Sequence, residues 1–191
     1  MAYNIDNAKK VLTALIKAGA KPSMLPLLMS QVAVETGNFD SNQFRINNNA
    51  SGITYSTSGR QKNATRGNPL PIKEQPLVGG KRVIKYYYAK FPTLTDWAVD
   101  YLRIVNRSVT TATDVVDYAK KLKAQRYYAD TLENYIKAIQ GHFKRLTALG
   151  LTQIPADVIT NVDDKKKNWL MVLLGISLLS LTYLNRNKIF R

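Results

Sequence analysis

The sequence predicts an α+β fold that is mainly helical, with a small β lobe and a single hydrophobic segment near the C-terminus. Apolar residues recur at helical spacing at both ends of the first 149 residues. Between these helical stretches, residues 52–92 alternate short β-prone runs with Gly and Pro. An uncharged segment follows near the C-terminus. We expect a folded domain over residues 1–149, a linker and basic juxtamembrane stretch over 150–168, a transmembrane helix over 169–185 and a basic tail over 186–191.

Two helices are predicted before the β lobe. The first carries Val11, Leu12, Leu15 and Ile16 on one face, and Asn4 or Asp6 provides its N-terminal cap. The second covers residues 22–36, with Pro22 and Pro26 near its start and Gly37 as its end. An Asn-rich loop over residues 37–51 then leads into the β lobe.

The β lobe and three further helices complete the predicted domain. Val78-Gly79-Gly80-Lys81 is typical of a hairpin turn. We expect Thr95 to cap a helix that carries Trp97, and Thr113 to cap a helix over residues 114–123. Asp130 and Glu133 have the spacing of a capping-box variant that opens a long helix through Leu146.

Composition restricts the chemistry. The 191 residues include no cysteine and a single histidine, His142. A disulfide framework, a thiolate metal site and a cysteine nucleophile are therefore excluded, and Ser-His-Asp chemistry is disfavoured. No Gly-rich phosphate loop or zinc motif is present, so we expect neither a cofactor nor a metal. Carboxylates, hydroxyls and amides remain as the reactive groups.

The chain is strongly basic. Lys and Arg number 28 against 13 Asp and Glu, which gives a formal net charge of +15. Nucleic acid, acidic wall polymers and anionic lipid are all suitable partners for such a charge. The basic residues are spread along the chain without a long Lys/Arg block, and a solvated basic surface is the plain alternative. A nucleic-acid partner is not favoured.

Residues 169–184 read WLMVLLGISLLSLTYL and contain no charge. Sixteen helical residues span roughly 24 Å, against about 30 Å for a bilayer core. Flanking Asn, Lys and Arg extend this reach, and Trp169 and Tyr183 lie near the ends, as interfacial aromatic residues do. We expect a membrane anchor at residues 169–185. A buried C-terminal core helix is the alternative, and the flanking charges do not settle the orientation.

Glu35 is the first candidate catalytic residue. It lies at the C-terminal end of an apolar helix, where apolar neighbours and the helix terminus both disfavour a carboxylate charge. A carboxyl that stays protonated near neutral pH can serve as a general acid. The alternative is an ordinary surface glutamate at a helix end.

Glu74 is the second candidate. It is the only acidic residue between Asp40 and Asp96, and it precedes the predicted hairpin. A second carboxylate across a cleft would hold water or stabilise positive charge on a sugar carbon. The alternative is a solvent-exposed residue beside a turn.

The order of four motifs resembles the glucosaminidase-type peptidoglycan hydrolases of the lysozyme superfamily, which include the flagellar rod-cap muramidase and phage lysins. Over roughly residues 5–148, the matching segments are Ala33-Val34-Glu35-Thr36-Gly37, Asn48-Asn49-Ala50-Ser51-Gly52-Ile53, Tyr88-Ala89-Lys90-Phe91 and Arg126-Tyr127-Tyr128-Ala129-Asp130. Arg126 stands where the family has glycine, and the family threonine is missing.

The resemblance implies a lysozyme-like domain with Glu35 as the catalytic acid and Glu74 as the second acidic residue. It also implies that Asn49 and Ser51 line the floor of a glycan cleft. The family tyrosine near the acid corresponds to either Tyr127 or Tyr128, and the sequence leaves this choice open.

Together these features predict a membrane-anchored peptidoglycan hydrolase, of endo-β-N-acetylglucosaminidase or muramidase type. A lytic transglycosylase that uses Glu35 alone and an inactive glycan-binding or structural membrane protein are the alternatives. No signal peptide is recognisable at the N-terminus. We therefore expect a bacteriophage virion protein, anchored in an internal membrane and used in host entry. It would contact peptidoglycan, lipid and other virion or membrane proteins, and a bacterial envelope location is the rival.

Overall fold

The computed structural model describes residues 2–59, 61–109 and 111–153, without the side chains of residues 106–108. Residues Met1–Gln153 group into one compact unit. In chain order the elements are α1 (Ile5–Lys17), a 3-10 turn (Pro22–Met24), α2 (Leu25–Glu35), α3 (Asn42–Asn47), β1 (Thr65–Pro69), a second 3-10 turn (Ile72–Glu74), β2 (Leu77–Val78), β3 (Lys81–Arg82), β4 (Tyr87–Lys90), α4 (Leu94–Val109), α5 (Val115–Ala124) and α6 (Leu132–Ala148). The mixed, mainly helical architecture agrees with the predicted α+β class.

Helix α2 is the centre of the helical part. Its residues from Leu27 to Ala33 are all buried, polar Ser30 and Gln31 included. A helix that is buried on every side lacks the single apolar stripe of a surface helix. It packs against α6 and, less extensively, against α1. This central position places the end of α2, and Glu35 with it, among side chains from several other helices.

The β lobe is thin. Strand β1 pairs antiparallel with β4 through an irregular register, and β2 pairs antiparallel with β3. The β2–β3 turn is formed by Gly79 (φ 57°) and Gly80 (φ 78°), so the predicted hairpin turn is confirmed. Two consecutive residues at positive φ form the turn type that suits a two-residue hairpin, which glycine adopts without strain. The lobe therefore has little interior of its own.

Three of the predicted helix starts were wrong by one or two residues. Thr93, not Thr95, opens α4, because its hydroxyl accepts from the Asp96 backbone N–H while the Asp96 carboxylate accepts from Thr93. Asp114 caps α5 in place of Thr113. Thr131 caps α6 by accepting from the Asn134 N–H, so Asp130 and Glu133 do not form the predicted capping box. Asn4 caps α1, one of the two alternatives predicted.

None of the helices in the described ranges combines the length and apolar character needed to cross a bilayer. The predicted anchor at residues 169–185 lies outside those ranges, as do the basic tail and most of the linker.

Candidate functional site

The turn after α2 holds Glu35 at a fixed helix end. The Thr36 hydroxyl donates to the Val32 carbonyl and accepts from the Phe39 backbone N–H at 2.9 Å. Gly37, Asn38 and Phe39 all have positive φ, between 56° and 70°. A left-handed conformation at a bulky residue such as Phe39 costs about 1–3 kcal/mol, and such strain is often found beside functional residues. The Glu-Thr-Gly sequence thus supplies both the hydroxyl and the glycine that this reversal uses.

The carboxyl group of Glu35 has one hydrogen-bond partner on a distant helix. The Tyr135 hydroxyl, from α6, donates to Glu35 Oε1 at 3.1 Å. Oε2 accepts no hydrogen bond from the described residues and reaches solvent. One oxygen is therefore held by the protein while the other remains open to a ligand.

The surroundings of Glu35 favour its protonated form. Burial raises the pKa of Glu35 above its ordinary value of 4.5, and the hydrogen bond from Tyr135 opposes that rise by stabilising the carboxylate. Burial also raises the pKa values of the hydroxyl groups of Tyr118, Tyr127 and Tyr135. The negative charge of Glu35 adds to each of these three increases. The carboxyl is therefore surrounded by neutral hydroxyls, with no cation to stabilise its charged form through an ion pair in the described part of the chain.

Gln31 lies one helical turn before Glu35 and organises the buried polar groups behind it. Its Oε1 accepts from the hydroxyl of Tyr101 in α4 at 2.7 Å and from the hydroxyl of Tyr118 in α5. Its Nε2 has no hydrogen-bond partner among the described residues. A single side-chain oxygen thus joins three helices directly beneath the candidate acid.

Tyr127 belongs to the same buried group. Its hydroxyl approaches Ser51 and Gln31, but among the described residues neither meets the geometry of a full hydrogen bond. Ser51 is itself buried, and its Oγ accepts from the indole N–H of Trp97 at 2.9 Å. Predicted site residues Ser51 and Tyr127 are therefore brought together with Glu35, although Ser51 faces the interior.

Tyr128 faces a different set of groups. Its hydroxyl donates to the Ala119 carbonyl at 3.0 Å, and its ring stacks on Tyr135 with centroids 3.6 Å apart. The Lys123 ammonium lies 4.9 Å from the ring centroid. The sequence did not decide between Tyr127 and Tyr128. The charge of Glu35 raises the pKa of the Tyr127 hydroxyl, whereas the Tyr128 ring packs on the ring of Tyr135.

Asn49, a predicted substrate-binding residue, is fully buried and bonded to the chain itself. Its amide nitrogen donates to the carbonyls of Ile53 and Ala89, and its oxygen accepts from the Ile53 N–H. Both amide hydrogens are used, so a hydrogen bond from Asn49 to a glycan would require one of these bonds to break. In this structure the side chain fastens the loop to strand β4.

Glu74 is not joined to the site around Glu35. It ends the 3-10 turn Ile72–Glu74 and is exposed. Among the described residues, no hydrogen bond or ion pair connects its carboxylate to Glu35 or to the tyrosines around Glu35. Its negative charge contributes to the raised pKa of Tyr88, after the larger effect of burial. Whether Glu74 takes part in catalysis stays a prediction.

The described residues contain no cluster of three or more His, Asp or Glu side chains arranged to bind a metal ion. The polar groups at the site are a carboxyl, tyrosine hydroxyls and an amide. This set can hold, donate or accept a proton.

No protein-family model and no curated protein matches the sequence. Among solved structures, the chain is similar to the catalytic domain of the autolysin Auto from Listeria monocytogenes, at a TM-score of 0.46 and 15% sequence identity. The match covers 80% of this chain and 89% of that one. This similarity assigns no role to individual residues, so those roles are argued from the contacts around Glu35.

The sequence did not identify two residues of the site by role. Tyr135 is not among the site residues predicted from the sequence, although it donates to Glu35. Gln31 is likewise not among the predicted site residues, although it accepts from Tyr101 and Tyr118. A buried amide four residues before a candidate acid was the available signal, because i and i+4 share a helix face.

Proposed function

We propose that this protein is a glycosidase that cleaves the glycan backbone of peptidoglycan, with Glu35 as its general acid. The observation that carries the proposal is the environment of Glu35, where burial raises the pKa and Tyr135 holds only one of the two carboxyl oxygens. A protonated carboxyl with one oxygen open to solvent can deliver a proton to a leaving oxygen. The order of motifs that resembles peptidoglycan hydrolases supports the choice of substrate.

The proposed reaction begins with a glycan strand bound against the open oxygen of Glu35. The carboxyl proton passes to the glycosidic oxygen as the bond from that oxygen to the sugar C1 breaks. Positive charge then develops on C1 and the ring oxygen. The Tyr135 hydroxyl remains on Oε1 and stabilises the carboxylate that proton transfer leaves behind.

The fate of the sugar cation depends on Glu74. If Glu74 positions water, the water adds to C1 and the product has a reducing end. If Glu35 alone acts, its carboxylate takes a proton from a hydroxyl of the same sugar, and that hydroxyl oxygen closes on C1 to give an anhydro end.

The test uses the full-length protein and purified peptidoglycan sacculi, with mass spectrometry of the released sugars. For Glu35→Gln we expect a loss of about 10²–10⁴-fold in sugar release, the usual contribution of a general acid. Glu133→Gln is the matched control, because Glu133 is exposed and its ion pair in the described part of the chain is with Lys137 on α6. The ends of the products distinguish hydrolysis from transglycosylation, and Glu74→Gln tests the second carboxylate.

Two results would contradict the proposal. Folded wild-type protein that binds sacculi but releases no sugars would indicate a glycan-binding role. Release that persists unchanged in Glu35→Gln would move the acid to another residue.

We also propose that residues 169–185 anchor the protein in a membrane, in a phage virion or otherwise in the bacterial envelope. Its support is the uncharged run with basic residues on both sides. Alkaline carbonate extraction of the full chain from vesicles tests the anchor, and we expect the protein to remain with the lipid. Detection in host membranes but never in purified particles would refute the virion location.

A further inference from the structure

One short segment contains most of the large apolar side chains that the described structure exposes. Six of nine such residues lie within residues 72–86, which we call the hairpin lobe, and their exposed fractions range from 43% to 63%. They are Ile72, Leu77, Val78, Val83, Ile84 and Tyr86. Scattered exposed apolar residues need no explanation, but a concentration in one segment marks an interaction surface.

These apolar side chains are exposed although the hairpin lobe is firmly bonded at its base. Gln75 is buried at the base of the lobe, where its Nε2 donates to the carbonyls of Leu70 and Tyr86. Its Oε1 accepts from the backbone N–H groups of Lys85 and Tyr86. These four bonds fix the two ends of the lobe together, and Gly79-Gly80 closes its tip. The apolar side chains are therefore held outward by the local structure.

The charges of the lobe select its partner. Lys73, Lys81, Arg82 and Lys85 lie among the apolar residues, and Glu74 is the single acidic residue. The described part of the chain offers none of these four cations an ion pair, although Arg82 donates to the Gln75 carbonyl. The lobe thus has a net positive charge beside exposed apolar surface.

An anionic lipid surface matches both features. Basic side chains bind anionic headgroups, while apolar side chains enter the boundary between headgroups and acyl chains. A hydrophilic polyanion, such as a wall polymer or nucleic acid, would satisfy the cations but leave the apolar side chains in water. The combination therefore favours a membrane over a soluble polyanion.

We propose that the hairpin lobe docks on an anionic lipid bilayer, with Leu77, Val78 and Ile84 entering the interface and the Lys and Arg side chains at the headgroups. This contact is separate from the reaction assigned to Glu35, and it is also separate from the anchor at residues 169–185. It would bring the folded domain itself against the membrane.

The absence of cysteine from the chain allows a site-specific test. Full-length Val78→Cys and Ile84→Cys, each labelled with an environment-sensitive fluorophore, are mixed with vesicles of phosphatidylcholine with or without phosphatidylglycerol. On anionic vesicles we expect a blue shift at both positions and quenching by spin-labelled lipid. Leu149→Cys is the matched control, because Leu149 is equally exposed but lies beyond the end of α6. Its signal should not change.

Two double variants, each of which removes two positive charges, complete the experiment. Lys73→Gln with Lys81→Gln should at least halve the quenching at position 78, since basic residues near an anionic surface strengthen binding to it. Lys9→Gln with Lys10→Gln on α1 removes the same charge elsewhere and should leave the quenching unchanged.

Several results would overturn the proposal. One is the absence of a fluorescence shift at positions 78 and 84 on anionic vesicles. The others are a fluorescence shift of equal size at position 149, and a shift of equal size on vesicles without phosphatidylglycerol. A shift caused by sacculi without lipid would make a glycan the partner. A shift that grows with protein concentration alone would make a second copy of the chain the partner.

Discussion

Glu35 and Glu74 each lie close in sequence to a buried glutamine, but the two glutamines bind different kinds of partner. Gln31 accepts hydrogen bonds from the side chains of Tyr101 and Tyr118, which belong to two other helices. The side chain of Gln75 binds backbone groups of Leu70, Lys85 and Tyr86, all within the β lobe. The first glutamine joins the core together, whereas the second closes a local loop.

This difference explains why the two carboxyl groups have different surroundings. Because α2 is buried on every side, its last residue meets side chains from α5, α6 and the loop between them, and burial follows. Glu74 precedes β2 and β3, which have two residues each, in a lobe with little interior, and its side chain is exposed. Position in a thick or thin part of the fold therefore decides which of the two carboxyl groups is buried.

The largest effect in this comparison should come from Gln31→Leu. The hydroxyls of Tyr101 and Tyr118 would lose their acceptor inside the core, which costs about 1–3 kcal/mol for each unsatisfied group. Removal of the unpartnered Nε2 offsets part of this cost. We expect a net loss of about 2–4 kcal/mol in the free energy of unfolding, measured by urea denaturation.

Gln125→Leu provides the control, because Gln125 is exposed at the end of α5. Adding Tyr101→Phe and Tyr118→Phe to Gln31→Leu should recover stability, since deleting both partners of a buried hydrogen bond is nearly neutral. If the triple variant were less stable than Gln31→Leu, the hydroxyls would have other partners.

Gln75→Leu should act locally. Four hydrogen bonds at the base of the hairpin lobe would be lost, so we expect hydrogen exchange at the Lys85 and Tyr86 amides to accelerate about 10–100-fold. Exchange within α2 and α6 should not change, because neither helix depends on this amide. Equal acceleration throughout the domain would show that the lobe and the helical core unfold together.

Replacing Glu35 by Gln should stabilise the protein at high pH. A carboxyl with a raised pKa binds its proton more tightly in the folded state, so wild-type stability falls as pH rises from about 4.5 to the folded pKa. Glu35→Gln avoids this loss. At pH 8 we expect the variant to be more stable than wild type by about 1.4 kcal/mol for each unit by which the pKa is raised.

The stability advantage of Glu35→Gln should shrink toward pH 4, where the wild-type carboxyl is protonated in both states. Glu133→Gln should show no comparable advantage, because Glu133 is 79% exposed in its ion pair. A Glu35→Gln variant that is less stable than wild type at pH 8 would mean that the carboxylate is favoured, not disfavoured, by its surroundings.

The smallest effect concerns Tyr135→Phe. Its hydroxyl stabilises the charged form of Glu35, so its removal should raise the pKa of that carboxyl further. The basic limb of the pH profile of kcat/KM on peptidoglycan should therefore move to higher pH. Tyr3→Phe loses a hydroxyl that contacts His142 instead, and should leave that limb in place. A shift to lower pH in Tyr135→Phe would contradict the hydrogen bond.

Local features of the chain were readable from the sequence. Apolar spacing located the described helices except α3 (Asn42–Asn47), which was predicted as a loop. Gly79-Gly80 located the hairpin turn, and the Glu35-Thr36-Gly37 segment marked a helix end. Each depends on residues within a few positions of one another. Three helix starts differ from the prediction, because a Thr and a neighbouring polar residue compete for the same cap, as at Thr113 and Asp114.

The partners of Glu35 could not be predicted in this way. Tyr135 is 100 positions from Glu35, and Tyr101 and Tyr118 are 70 and 87 positions from Gln31. Asn49 was predicted to bind a glycan. In the structure its side-chain amide donates to the carbonyl of Ala89, which lies 40 positions away in the sequence. The sequence by itself determined the candidate acid and the order of the hairpin and of the described helices other than α3, which lies within the predicted loop over residues 37–51. The packing of α4, α5 and α6 around α2 decided which side chains surround that acid, because contacts across such separations exist only once the helices have packed.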